Sequence, residues 1–423
     1  MNQDLHKDFR LPEKLTTNSV TSRIDHNARV MLAKLMGGTS PIALNLVFMD
    51  WALNLGTAPG KQMKLTQQAQ EAYFEYLRFL FEQSFSLAPL KPTIEPELGD
   101  RRFKNEAWNK PPFSFYKQGF LLTENWWKAA TTNISGLTEP DEKAISFTAR
   151  QLLNVFSPSN FLATNPELLS KTIEEKGANL VRGLQAFSKD AFQIESNGEG
   201  KTKSNYQVGK TLAATPGQVV YRNHLIELIQ YEPTSKTVHP EPLLFVPAWI
   251  MKYYILDLSA QNSMVKYLTS QGFTVFMISW RNPDANDAHI GFEDYLKLGP
   301  LTALDEIERL TSAKKIHTAG YCLGGTLLSV AAASLAREED CRLASMTLFA
   351  AQTDFSEAGE LMLFINESQV SFLEDMMQEQ GYLDATQMTG AFQLLRSNDL
   401  LWARLQKDYL LGETTEPNDL MTW

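Results

Sequence analysis

The chain has 423 residues, 43% of them hydrophobic and 21% charged, the balance of a globular protein and more than one ordinary core holds, so two domains are expected. A net charge of -10 argues against nucleic acid as the main partner, although a local basic patch can still hold an anionic substrate. Cys322 and Cys341 are too few for a disulfide framework or a metal cluster and suit a reducing cytoplasm; the polar start has no apolar signal core, and no apolar run reaches the roughly 18 residues of a membrane span.

In chain order, residues 1–25 are polar and read as a weakly ordered tail, and residues 26–200 as a mostly helical N-terminal domain. Over Gln67 to Phe81, Ala72, Tyr73, Tyr76, Leu77 and Leu80 recur at helical spacing. Proline breaks follow at Pro89, Pro92, Pro96 and Pro111-Pro112. Asn165-Pro166-Glu167 reads as a helix start, with Asn165 as cap, Pro166 in the first turn and Glu167 at the positive end of the helix dipole. Polar residues from Glu195 to Ser204 form the best linker candidate.

The pattern then changes. Val219 to Tyr221 and Leu225 to Tyr231 predict a hairpin, and Leu243 to Val246 a buried strand. A helix opening at Asn262 or Ser263 precedes a second buried strand over Thr274 to Ser279; Thr302 to Leu310 is helical. Lys315 to Ala319 is a third strand, Gly325 to Ala336 a helix of small residues, and Leu343 to Ala350 a fourth strand. Strands alternating with helices predict a mainly parallel α/β sheet over residues 201–355. The helical stretch 356–423, rich in Met, Phe and Leu, reads as a cap inserted after a strand.

The chemistry is expected at Gly320-Tyr321-Cys322-Leu323-Gly324-Gly325. A strand, this hexapeptide and a small-residue helix form a nucleophile elbow with Cys in place of Ser. The nucleophile sits on a strained turn, so Gly320 and Gly324 supply positions without side chains, and Gly325 lets the helix approach the sheet. The helix N-terminus turns its dipole toward the sulfur and favours the thiolate. Backbone N–H groups of Leu323 and of Ile250, in the loop Pro247-Ala248-Trp249-Ile250, are the candidate oxyanion donors. A thiol attacking a thioester yields another thioester, so the acyl group stays activated, which suits acyl transfer from coenzyme A. Cys341 follows a charged run and reads as a structural cysteine.

Further blocks make the chain resemble the polyhydroxyalkanoate synthases, most closely the class I enzymes. They are Asp100-Arg101-Arg102-Phe103, Ser157 to Glu167, Asn179-Leu180-Val181-Arg182-Gly183, Lys252-Tyr253-Tyr254-Ile255-Leu256-Asp257-Leu258, Ser279-Trp280-Arg281-Asn282-Pro283-Asp284 and the Cys322 box. The resemblance implies an α/β-hydrolase core with a helical cap, behind a helical N-terminal domain. It implies a cytoplasmic homodimer at the surface of polyester granules, polymerising (R)-3-hydroxyacyl-coenzyme A with release of coenzyme A. Cys322 would carry the acyl chain, a His would take its proton and an Asp would activate the incoming 3-hydroxyl; no cofactor or metal is implied. The family reads Pro-Pro-x-Ile-Asn-Lys where this chain has Pro247-Ala248-Trp249-Ile250-Met251-Lys252, and Asn-Tyr where it has Ala403-Arg404. Asn418 to Trp423 matches a stretch that continues in the family. The resemblance places the Asp and His beyond residue 423, so the chain is expected to be incomplete at its C-terminus.

Six histidines are present: His6, His26, His224, His239, His289 and His317. At about 3.3 Å per residue, His317 lies roughly 16 Å down its strand from Cys322, against about 3 Å needed by a general base; His289 is the least poor substitute. Lys252 and Arg396 read either as contacts to coenzyme A phosphates or as solvated surface charges. Asp257 and Asp354 lie near strand ends, and Asp257 reads either as a substrate contact or as a local structural group. Two rival functions stand beside the synthase reading: a truncated, catalytically dead subunit acting in granule association or dimerisation, and a Cys-dependent α/β hydrolase.

Overall fold

A computed structural model describes residues 40–85, 92–195, 207–359, 366–384, 397 and 401–413. The expected tail over 1–25, most of the linker, His6, His26 and Arg396 lie outside the described residues.

The N-terminal region is helical, and local chemistry sets its boundaries. Helix α1 (Pro41–Gly56) starts at Ser40, whose hydroxyl accepts the Ala43 N–H at 3.3 Å. After α2 (Pro59–Phe85) and α3 (Phe113–Thr131), α4 (Glu139–Val155) opens with Thr138 as cap and three acidic residues in its first turn. Helix α5 (Pro166–Glu174) starts as expected: Asn165 Oδ1 accepts the N–H groups of Glu167 at 2.9 Å and Leu168 at 3.3 Å. Helix α6 (Ala178–Glu195) follows. The helical spacing over Gln67 to Phe81 falls inside α2; Leu65, Phe79 and Gln83 are buried, with Ala72, Tyr76 and Leu80 half-buried, while Tyr73 and Leu77 are exposed.

The helices meet at fully buried Trp108, against which Phe103 packs edge-on at 4.9 Å between ring centres. Beside it, Arg102 donates to Asp100 at 2.9 Å, to Glu124 at 2.9 Å and to Asn154 at 3.1 Å, and its guanidinium lies over the rings of Phe103 and Phe120. Burial pushes the Glu124 carboxyl above its ordinary value, and the bond from Arg102 opposes that.

A six-stranded sheet carries the rest: β1 (Gly217–Arg222), β2 (Ile226–Tyr231), β3 (Leu243–Val246), β6 (Val275–Trp280), β7 (Ile316–Tyr321) and β8 (Leu343–Phe349), in the order β1-β2-β6-β3-β7-β8. The β1–β2 hairpin and the β2–β6 pair are antiparallel; β6, β3, β7 and β8 run parallel. Parallel strands are covered on both faces, so they read as apolar runs instead of alternating ones; β6, Val-Phe-Met-Ile-Ser-Trp, is buried at every position except Ser279. Between the strands lie α7 (Met264–Ser270), capped by Ser263, α8 (Phe292–Leu296), α9 (Thr302–Thr311) and α10 (Leu323–Arg337). A minor two-stranded sheet, β4 (Asp257–Ser259) with β5 (Asn262–Ser263), had no signal in the sequence. An irregular π-helical turn at Lys297–Leu301 joins α8 to α9 around Gly299 and Pro300.

The described parts of residues 356–423 fold back onto the N-terminal helices. Gln369 of α11 (Glu367–Gln380) accepts the Ser40 N–H at 2.8 Å. Ser397 donates to Gln151, Asn179 to the Leu410 carbonyl at 2.8 Å, and Tyr409 packs edge-on against Phe187 at 5.4 Å. No helix among the described residues is long and apolar enough to cross a membrane.

Replacing Arg102 by Met leaves Asp100 and Glu124 as half-buried carboxylates without their cation, and is expected to cost about 2 kcal/mol in urea unfolding followed by tryptophan fluorescence. Because the folded pKa of Glu124 lies above its unfolded value, the native state binds the proton more tightly. Part of the loss should therefore return as pH falls through the window just above 4.5, the ordinary carboxyl value.

Candidate active site

Register brings the site together. Val246, the last residue of β3, pairs with Gly320 of β7, so both strands deliver their following loops to the same end of the sheet, where ligands bind in open α/β folds. After β7 the chain must reverse into α10 within one residue. That residue is Cys322, at φ 54° and ψ -128°. A non-glycine residue at this φ costs of order 1–3 kcal/mol and persists only where its surroundings enforce it. The enforcing contacts are hydrogen bonds from the Cys322 N–H to the Phe349 carbonyl at 2.9 Å and from the Gly325 N–H to the Cys322 carbonyl at 2.8 Å. The Thr326 hydroxyl donates to the Gln352 carbonyl at 2.8 Å, tying the first turn of α10 to the loop after β8.

Three glycines make the reversal sterically feasible. A Cβ on Gly320 would lie 2.9 Å from the Gly325 nitrogen, and one on Gly325 would lie 2.5 Å from the Cβ of Ala351. A Cβ on Gly324 would sit 2.5 Å from both the carbonyl carbon and oxygen of Pro247, and closer still to the Val246 oxygen. The elbow helix thus touches the loop after β3 backbone to backbone. Cys322 is left half-buried, with its thiol uncommitted to a disulfide.

The candidate oxyanion donors flank this contact. Leu323 opens α10, where the first N–H groups have no acceptor within the helix. Ile250 lies inside a tight turn closed by the Met251 N–H to the Ala248 carbonyl at 3.3 Å. The turn is braced by Trp249, whose ring packs 5.5 Å from Tyr295 and 6.0 Å from Phe292. The Trp280 indole donates to the Pro247 carbonyl at 2.7 Å in a buried setting. Sequence reasoning missed that bond, although its donor stood in the Ser279 to Asp284 block.

The other candidates separate. Asp257 is buried; its Oδ1 accepts from Thr215 at 2.5 Å and Ser263 at 2.6 Å, which fixes the segment before β1 to β4. The Lys252 ammonium lies 5.9 Å from the ring centre of Tyr254. Asp354 is exposed and accepts the Ser356 N–H at 2.9 Å, which holds its carboxyl below the ordinary range. Cys341, read as structural, is instead exposed beyond the end of α10.

No described histidine is hydrogen-bonded to Cys322. His317 lies on β7 with Nδ1 2.8 Å from the Ser345 hydroxyl, and His239 packs on Phe273 at 4.7 Å. His224 meets Asp287 at 2.6 Å, and His289 is exposed. Asp287 also takes Arg281 at 2.6 Å and the Asp284 N–H at 2.9 Å. That backbone bond, with His224 and Arg281 beside it, holds the Asp287 carboxyl down at about 2 and stiffens the loop after β6.

Comparison with known proteins agrees with this architecture. The family model for the poly-beta-hydroxybutyrate polymerase (PhaC) N-terminus matches residues 99–268. A second, for the poly-beta-hydroxybutyrate polymerase N terminal region, matches 19–61, and the alpha/beta hydrolase fold matches 241–398. A poly(3-hydroxyalkanoate) polymerase of Methylorubrum extorquens is 42% identical over 343 residues, covering 79% of this chain and 56% of the relative. Polymerase subunits PhaC of Rhizobium etli and Cupriavidus necator are 40% and 35% identical, covering 79% and 84% of this chain and 53% and 60% of theirs. The chain therefore spans little more than half the length of these relatives. Among solved structures, fungal esterases from Rhizomucor miehei align at 18% identity with a TM-score of 0.26, over 48% of this chain and 60% of that one; the fold rests on the strand order and the hydrolase family model instead. The chain belongs to the poly(3-hydroxyalkanoate) polymerase family, with an α/β-hydrolase sheet preceded by a helical N-terminal region.

Proposed function

We propose that this chain carries the acyl-transfer site of a class I polyhydroxyalkanoate synthase, which links (R)-3-hydroxyacyl units from coenzyme A thioesters into polyester. The observation that carries the reading is the half-buried Cys322 thiol on an enforced positive-φ turn at the mouth of a parallel sheet. The sulfur attacks the thioester carbonyl. The negative charge that develops on oxygen meets the backbone N–H groups of Leu323 and Ile250. The carbon–sulfur bond to coenzyme A then breaks, coenzyme A leaves as its thiol, and the acyl group remains on Cys322 as a thioester. Attack by the 3-hydroxyl of the next unit repeats the transfer.

The relatives' printed names, poly(3-hydroxyalkanoate) polymerase, support this assignment. Residues to take the thiol proton and the hydroxyl proton are not assigned among the described residues. A second reading rests on that same point: since no described histidine bonds the thiol, the chain by itself would be a non-turning subunit that acts at the granule.

Both readings place the chain on a polyester granule, as a homodimer, in the cytoplasm. The surface that suits the granule is α1. It has one charged residue, Asp50, and exposes Leu46, Phe48, Met49 and Leu53 by half or more. Phe74, Phe81 and Phe85 of α2 are likewise exposed.

Incubation with (R)-3-hydroxybutyryl-coenzyme A should release coenzyme A and leave a hydroxybutyryl adduct on the Cys322 peptide, seen by mass spectrometry. Cys322→Ala should give neither and Cys341→Ala both. Release of free hydroxy acid in place of polymer would identify a hydrolase, and no release at all would leave the non-turning subunit. Changing Leu46 and Leu53 to Asp should weaken adsorption to poly(3-hydroxybutyrate) particles by about tenfold or more, since each buried leucine contributes roughly 2 kcal/mol.

A further inference from the structure

We propose that Trp280 is a positioning residue for acyl transfer: its indole N–H bolts the carbonyl of Pro247 and thereby sets the distance between the loop bearing Ile250 and the elbow bearing Cys322. The inference rests on the acyl-transfer reading and adds to it a residue that touches neither the thiol nor the acyl group.

Two independent contacts converge on one peptide unit. Pro247 leaves β3 with its carbonyl facing two neighbours. On one side the Trp280 Nε1 donates at 2.7 Å, in a buried environment where the bond has no water to compete with. On the other side stands Gly324, on which even a Cβ would come within 2.5 Å of the Pro247 carbonyl carbon and oxygen. The carbonyl is therefore clamped between the end of β6 and the first turn of α10. The amide of Ala248 belongs to the same rigid peptide plane, and the turn holding Ile250 begins there. An oxyanion donor must stand within about 3 Å of the developing charge, so a shift of this plane moves the Ile250 N–H away from Cys322.

The bolt is itself held. Trp280 is 9% exposed and packs 5.4 Å from Tyr295, which also braces Trp249. On its far side the ring fills the space above Gly299, where a Cβ would lie 3.0 Å from Cζ3 and closer to Cη2. Gly299 sits at the irregular point of the Lys297–Leu301 turn, with φ -93° and ψ -107°. A glycine 19 places beyond the tryptophan in sequence thus leaves the indole room to reach Pro247.

Two reactions at the same sulfur separate positioning from general packing. Acylation by p-nitrophenyl butyrate passes through an oxyanion, whereas alkylation by iodoacetamide does not. Trp280→Phe removes the N–H and keeps a ring; Gly299→Ala keeps the N–H and pushes the ring. For both, the nitrophenolate burst from Cys322 should slow by about tenfold or more, short of the 100- to 1000-fold that loss of a whole oxyanion donor costs, while the alkylation rate stays within about twofold. Equal bursts in Trp280→Phe and the parent would overturn the positioning role and leave the acyl-transfer reading standing. So would a parallel change in both rates, which marks a general loosening. A parent chain whose Cys322 alkylates but gives no burst would overturn the acyl-transfer reading, and the inference with it.

Discussion

Everything at the site depends on how closely two backbones approach. Gly324, in the first turn of α10, lies against Val246 and Pro247 at the end of β3 with no room for a side chain. That contact is repulsive at its limit, so it sets a distance instead of merely favouring one. It decides where α10 crosses the sheet, and with it the positive φ of Cys322. It also decides how near the loop of Ile250 stands to the sulfur. The strain at Cys322 is offset by the hydrogen bond to Phe349 and by an α10 whose Leu327, Leu328, Ala331 and Leu335 are buried against the sheet.

The sheet supplies the rigidity this spacing needs. Four parallel strands, with β6 buried on both faces, hold β3 and β7 in fixed register. The loop after β6 is stiffened by the Asp287 carboxylate, which gathers Arg281, His224 and the Asp284 N–H. Further out, the described residues between 366 and 413 lie against the N-terminal helices: buried Gln369 meets Ser40 at the start of α1, buried Ser397 meets Gln151 of α4, and half-buried Tyr409 meets Phe187 of α6. Where described, the stretch expected as a cap contacts the N-terminal helices, and α11 ends with Gly381 packed close to Ala285 of the loop after β6.

Much of this was legible in the sequence because parallel strands and their glycines are local signals. Leu243–Val246 appears at the predicted boundaries, and β6, β7 and β8 lie within two residues of theirs. Asn165 caps its helix as composition required. The elbow was readable because only glycine fits where backbones touch. What was not legible is tertiary. Helical spacing over Ala72 to Leu80 locates α2 but does not say which of those residues pack, and Tyr73 and Leu77 are exposed while Ala72, Tyr76 and Leu80 are half-buried. The bond from Trp280 to Pro247 joins residues 33 apart, and nothing in either neighbourhood announces it. Asp257 was read with two meanings; its bonds to Thr215 and Ser263 give it a structural task whatever else it meets.

The most direct test of the central claim is the single-turnover acylation of Cys322 in a Gly324→Ala chain, measured beside its circular dichroism. A methyl group there must push Pro247 away from the elbow. A folded chain with a lowered melting point is expected, whose Cys322 acylates about 100-fold or more slowly, the scale of a lost oxyanion donor. A folded Gly324→Ala chain that acylates Cys322 at the parent rate would contradict the claim.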